Sequence, residues 1–419
     1  SPITISNLAA NGNYSSNPII NQEGFSATTS YVPTLNNFLT PAGSLSNPFP
    51  SGISPPVGSS LGSATFLGQT VMFLSPTMKD PYSERWNVGV QHAITPNLMA
   101  ELDYIGNHTV RLPVNLTQLN VVPRQYLSTL PTRDQALINT LSATVANPFA
   151  GLIPGTPLNG STISVAQLLS VFPAFMTGTG TTTTGVLRQN DTIGTSDFES
   201  VSGRLDRRVT NGLTVTGIYT WSRLMESDSY LNDTDTQLER RISPFDHTHH
   251  FVLAASYELP FGANRPIPLK AVWTRLLLES WSVNGIYTYQ TGAPVYWTND
   301  LVYNGTPITL DPRQVTGPAL NVSAFDTNSK DQFQYHIRTF PTTFSDLRQD
   351  AIDNLDASIL KRFITGGSSY LQLRFEAFNI LNHTQFGPPN VTPANASFGT
   401  ITSQANLPRQ VQIGLRFVF

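Results

Sequence analysis

The sequence predicts an all-β chain. The fold class is an antiparallel transmembrane β-barrel, a partial barrel of about nine to ten long strands with long extracellular loops. Three observations carry this. Apolar residues recur at every second position in segment after segment, over stretches of about 9–12 residues. The connections between these segments alternate long and short. No apolar run approaches the ~20 residues that a membrane helix requires.

Successive side chains of an extended chain point to opposite faces, so strict alternation marks a strand with one apolar and one polar face. The first candidates, 86–94 with 98–105 and then 201–208, alternate weakly. In the next segment Leu213, Val215, Gly217, Tyr219 and Trp221 share a face, followed by Phe251, Leu253, Ala255, Tyr257 and Leu259. Trp281, Val283, Gly285, Tyr287 and Tyr289 form the next face, then Leu355, Ala357 and Ile359, then Leu371, Leu373, Phe375 and Ala377. Val411, Ile413, Leu415, Phe417 and Phe419 close the series, alternating with Gln410, Gln412, Gly414, Arg416 and Val418. Residues 64–74 are a poorer candidate for a tenth strand. Strands of soluble sandwiches run ~5–6 residues, whereas ~9–11 residues cross a bilayer at a tilt. Only a closed barrel pairs every backbone group in lipid.

The connections 110–197, 224–246, 291–350 and 381–409 are long and fall on one side. Those at 95–97, 210–212 and 364–368 are tight, and 261–280 is of medium length. Membrane barrels have short periplasmic turns and long extracellular loops, so the long set is expected outside, where loops carry specificity. Residues 1–82 read as a loop-rich N-terminal segment, an extracellular loop of the same barrel, and 83–419 as the strands and loops of a single domain. Inside the first long loop, the patterns Thr132-x-x-Gln135 and Ser164-x-x-Gln167 are capping boxes that open short helices. The Gly/Thr run 177–184 is a flexible tip. In 261–280, Leu269, Val272, Trp273, Leu276 and Leu277 have helical spacing and predict a local helix against the barrel rim.

Composition narrows the function. The 419 residues hold 24 Lys+Arg against 27 Asp+Glu, a net charge of −3 with no electrostatic footprint for nucleic acid. Charged residues are 12% of the chain, about half the usual share. There is no cysteine, which removes disulfides and thiolate chemistry. No acid–base pair stands out, and the G-x-S-x-G match at 58–62 lacks the strand–turn–helix that a nucleophile elbow needs. An enzyme is not expected, nor a cofactor. His247, His249 and His250, beside Asp246, are the candidate metal ligands. On a strand, however, His250 points away from the other two, which favours a strand-entry role at the outer rim. Arg204, Asp206, Asp356, Arg374, Glu376 and Arg416 fall on polar faces, which a barrel turns to its lumen, where opposite charges can pair across strands. Trp86, Trp221 and Tyr289 sit at long-loop ends, and Tyr257, Trp281, Phe417 and Phe419 at short-turn ends, as aromatic girdles do.

Several motifs resemble known families. The terminal segment bearing Val411, Ile413, Leu415, Phe417 and Phe419 resembles the C-terminal assembly signal of bacterial outer-membrane barrels. Leu373-Arg-Phe-Glu-Ala-Phe-Asn-Ile-Leu-Asn-His383, followed by Phe386, is similar to the penultimate strand of TonB-dependent receptors. More narrowly, Asn47-Pro-Phe-Pro50, Trp86-Asn-Val-Gly-Val-Gln91, Phe245-Asp-His-Thr-His-His-Phe251 and Glu258-Leu-Pro-Phe-Gly262 are similar to Oar-like receptors. The resemblance covers about 47–419. It implies an integral protein of the bacterial outer membrane, with outer-membrane lipid and the barrel-assembly machinery as partners. It further implies TonB-dependent uptake of an unidentified extracellular ligand, coupled through a plug domain. In that family a carboxypeptidase-regulatory-like domain and the plug precede the barrel. The sequence shows no plug, energy-coupling box or signal peptide, and about nine strands against the ~22 of large transporters, so it reads as the C-terminal part of a barrel. A passive porin, a surface adhesin or structural protein, and a soluble β-sandwich are the alternatives.

Overall fold

The computed structural model describes residues 60–419 apart from 179–183, 209–211, 263–264 and 367–368, and shorter stretches before residue 60. Nine long strands dominate: β1 (Tyr82–Thr95), β2 (Leu98–Gln118), β3 (Val186–Arg208), β4 (Leu213–Ser227), β5 (His249–Glu258), β6 (Trp281–Gln290), β7 (Ile352–Gly366), β8 (Ser369–Phe378) and β9 (Gln410–Val418). Each pairs antiparallel with its neighbour in sequence, so the sheet is a meander from β1 to β9. Among the described residues β1 and β9 do not pair with each other, and the sheet is an open, partial barrel. No described helix is long and apolar enough to cross a membrane.

Every alternating segment of the sequence is one of these strands, but several are longer than alternation alone indicates. β2 has 21 residues and β3 has 23, or about 70–75 Å at ~3.3 Å per residue. Their upper halves project beyond any bilayer, and a bulge between Thr192 and Thr195 bends the pair there. Residues 64–74 do not supply a tenth barrel strand. Only Val71–Leu74 is extended, and it pairs parallel with Val186–Gln189 on the projecting part of β3. Pro76, which has no N–H to donate, stands just beyond it. A separate two-stranded sheet, Ile3–Leu8 with Ser26–Tyr31, lies in the N-terminal segment, where no alternation marked it.

The register joins one face into a continuous apolar surface. Val411, Ile413, Leu415 and Phe417 on β9 stand opposite Ala377, Phe375, Leu373 and Leu371. Through Ile359, Val283, Tyr257 and Leu213 the same face continues to Leu205, Leu102 and Val90. Charges on this face bound a band. On β3 they are Glu199 and Arg207, and on β7 Asp353 and Lys361, each pair about 26 Å apart along its strand. Tilted, that is close to the ~25 Å apolar belt of outer-membrane barrels. Tyr289 pairs with Asp353 at the outer limit of the band and Trp281 with Lys361 at the inner limit. Trp221 pairs with Val201 near the outer limit, and Tyr257 with Val283 near the inner one. Trp86 lays its indole across Gly106, where a Cβ would stand 2.2 Å from Cε2, so the glycine is the seat of the ring. Phe417 and Phe419 stack at 6.1 Å.

The two faces give a direct test. Ile413→Lys, mid-band on the apolar face, should cost ~2–4 kcal/mol of folding stability in lipid. Gln412→Lys, which keeps a hydrogen-bond donor beside Glu376, should cost little. Equal losses in denaturant titrations of the two variants would overturn the face assignment.

The helical spacing in 261–280 yields α3 (Val272–Leu278). Its apolar side chains do not pack against the rim as expected. Val272 and Trp273 are each 76% exposed. The helix is tied to the sheet by its carbonyls, since the Trp281 indole N–H donates to Leu277 O at 2.6 Å, and this leaves the side chains free to point away.

Candidate functional site

The long connections fold together into one outer assembly. Within 119–185, α1 (Gln135–Ser142) is capped by Asp134, which accepts from Leu137 N at 3.0 Å, rather than by Thr132. The Asp134 carboxylate sits directly before the first turn and takes the role. α2 (Val165–Leu169) is capped by Ser164 as its sequence implies, with Gln167 N donating to Ser164 Oγ at 3.2 Å. Part of the Gly/Thr run 177–184 lies outside the described residues.

The core of the assembly is aromatic. Trp297 is fully buried, stacked on Phe325 at 5.5 Å and met edge-on by Phe340 at 5.4 Å. Phe398, from the 379–409 connection, meets Phe325 edge-on at 5.4 Å. Val295, Leu301, Leu320 and Leu347 fill the remainder. Arg338 threads this core, donating to the carbonyls of Trp297 and Phe340 at 2.7 Å each. Burial pulls its guanidinium pKa down, opposed by the charges of Asp300 and Glu239.

Ionic clasps fix the assembly to the strands. Arg241 is buried with ion pairs to Asp228 at 2.6 Å, Glu226 at 3.0 Å and Glu239 at 3.7 Å, and its guanidinium lies over the Tyr296 ring. Glu239 in turn accepts from Thr342 N and Oγ1. Asp246 is buried at the head of β5, accepting from Leu224 N at 2.6 Å and pairing with Arg348 at 2.7 Å. Arg313 pairs with buried Asp350 at 3.2 Å and covers the Phe386 ring. Where the 119–185 and 291–351 connections meet, a cavity of about 530 Å³ opens, walled by Leu130, Pro131, Tyr303, Phe333, His336 and Phe344. Phe333 stacks flat on His336 at 3.8 Å, and Asp300 holds the His336 ring at 2.6 Å. A small molecule with an apolar body fits such walls.

Below lies the polar face of the sheet. It carries Arg204, Asp206, Asp356, Arg374, Glu376 and Arg416, all on the face opposite the apolar band. The expected cross-strand charge pairs do not form. Arg204 pairs with Asp206 at 2.8 Å and Arg374 with Glu376, each two residues along its own strand. The immediate cross-strand neighbours of Arg374 are Leu360 and Gly414, which offer no carboxylate, whereas positions i and i+2 lie within a long side chain's reach. Asp356 instead takes amide donors, Asn379 N at 2.8 Å and Asn354 Nδ2 at 3.0 Å. Arg416 stands opposite Gln372. Ser256, Asn284 and Ser358 form a hydrogen-bonded row across β5, β6 and β7.

The histidines do not converge. β5 begins at His249, so His247 precedes the strand and does not share its face; its Nδ1 donates to Thr291 O at 2.7 Å. His249 shares a hydrogen bond with the Tyr219 hydroxyl at 2.8 Å, and His250 lies on the polar face opposite Gln290. Among the described residues no group of three or more His, Asp or Glu side chains is arranged to hold a metal ion.

Residues 3–412 match the family model described as an outer membrane beta barrel domain. The chain belongs to that family.

As an outer membrane beta barrel domain, it is an integral protein of the outer membrane, and the apolar band described above is the surface such a domain turns to lipid. No curated protein matches it. Among solved structures it is similar to the outer membrane transporter YddB from Escherichia coli, at 9% identity and a TM-score of 0.38, over 83% of this chain and 34% of that one. It is also similar to the ferripyoverdine receptor of Pseudomonas aeruginosa bound to ferripyoverdine, at 10% and 0.34, over 80% and 26%. The FpvAI–pyocin S2 complex matches at 10% and 0.33, over 79% and 26%. The domain thus spans about a quarter to a third of the length of these chains.

Sequence reasoning missed the aromatic core, Arg241 and the cavity of this barrel domain. The available signal was the recurrence of Phe, Tyr and Trp through the long connection 291–350.

Proposed function

We propose that this chain is the barrel portion of a TonB-dependent receptor of the Oar-like group, with no catalytic role of its own. It captures a ligand at the outer assembly and admits it when the energy-coupling complex moves a plug. The packed outer assembly, with its cavity of about 530 Å³, carries this reading. A passive pore has no need of a fully buried tryptophan core in its outer loops. The sequence blocks around Trp86, Phe245 and Leu373 support the narrower family. Outer-membrane lipid and the barrel-assembly machinery are partners of any such barrel.

The test is conductance of the complete protein in planar bilayers, paired with cross-linking to TonB in energised cells. The expected result is a closed pore and a cross-link. A steadily open pore without a cross-link favours the passive porin and overturns the receptor reading.

A further inference from the structure

On the short-turn side, α3 presents an apolar arc made by Val272, Trp273, Leu276 and Leu277, all exposed. An arc of that kind on a surface helix normally meets a core. Among the described residues nothing covers it, and its position says what does. The indole N–H of Trp281 donates to Leu277 O, and Trp281 lies on the apolar, band-forming face of β6. Lys361 lies on that same face of β7, opposite Trp281 and Leu373. A lysine there would point at hydrocarbon. It is instead almost fully buried: its ammonium donates to Glu279 O, just past the end of α3, and sits over the rings of Trp281 and Phe363. The segment carrying α3 therefore covers the lipid-facing side of the sheet at the inner limit of the band, not the lumen side.

We propose that α3 is an interfacial helix lying in the periplasmic leaflet of the outer membrane. Its apolar arc enters the phospholipid acyl region as a continuation of the barrel's own lipid-facing surface. The argument is continuity. Trp281, Val283 and Tyr257 form apolar surface up to the point where the helix docks, and the exposed Leu and Trp side chains extend it outward. Helices with Trp and Leu on one face and basic residues nearby settle at this depth. Lys270 supplies a cation beside the helix, while Arg275 is paired to Glu279 at 3.0 Å. The indole of Trp273 then sits at the headgroup boundary, as interfacial aromatics do. The inference is independent of what the barrel transports.

The chain has no cysteine, so single labels are unambiguous. Trp273→Cys, Leu276→Cys and Thr274→Cys would each carry a polarity-sensitive bimane in protein reconstituted into phospholipid vesicles. Ile413→Cys serves as the lipid-facing control and Asn97→Cys as the turn control. Labels at 273 and 276 should show a blue shift like that at 413 and be quenched by brominated acyl chains, while 274 and 97 stay red-shifted and are quenched by aqueous iodide. Iodide quenching at 273 and 276 equal to that at 97 would overturn the proposal. So would a blue shift that brominated lipid does not quench and that vanishes on dilution of protein into lipid, because a second copy would then be the cover.

Discussion

Arg241→Ala is expected to destabilise the outer assembly by about 3–5 kcal/mol, the usual loss when one partner of a buried ion pair is removed. The guanidinium serves Glu226 at the end of β4, Asp228 just past it and Glu239 in the following loop. Without it three carboxylates face one another, two of them, Glu226 and Glu239, largely shielded from water. Arg241→Lys keeps the charge but not the fork that reaches several oxygens, so its loss should be smaller. Protease resistance of the 228–248 and 291–351 connections, read against temperature, checks both variants. Unchanged resistance in Arg241→Ala would show that the cluster holds nothing together.

Trp297→Ala should be comparably severe, about 3–5 kcal/mol, because a fully buried indole leaves a void that its neighbours fill only in part. Phe340 is both an edge-on partner of Trp297 and a wall of the outer cavity. Its collapse into the void would reshape that cavity, so the ligand capture proposed for the outer face should fall with stability. The barrel itself should persist, since none of β1 to β9 packs its apolar band on Trp297. Early proteolysis of 291–351 with unchanged heat-modifiable migration on gels is the expected pattern. Simultaneous loss of both would mean that sheet and cap fold as one unit.

These two sites also mark where the sequence stops being legible. All nine strands could be read because one face meets hydrocarbon and the other water, which forces a period of two. The tops of β2 and β3, beyond Val110 and before Asp197, fall in a stretch whose sequence reads as loop. There the pair has left the bilayer, both faces meet loops or water, and the alternation stops. Trp297, Phe325, Phe340 and Phe398 come from irregular chain whose contacts have no period, so nothing local announces that they meet. The face of each polar residue was legible from its parity, but its partner was not. Arg204 finds Asp206 on its own strand because side-chain reach and strand twist decide that, not register. The helix at Val272 was legible by spacing; its exposure was not, because spacing cannot tell a protein core from lipid.

The same-strand pairs Arg204–Asp206 and Arg374–Glu376 change how the sheet can be assembled. Each of these strands brings an arginine and its counter-ion together on its polar side before any neighbour arrives. A hairpin added to the growing edge need not wait for an opposite charge from a strand made later. These two ion pairs would survive a slide of two residues, so they set no register. That task falls to contacts between directly opposed residues: His108 with Asp197 at 2.6 Å across β2 and β3, Gln412 with Glu376 across β8 and β9, and the seating of Trp86 in the hollow at Gly106 on the side that faces lipid. Growth one hairpin at a time, with register checked by each new neighbour, is what such a meander permits.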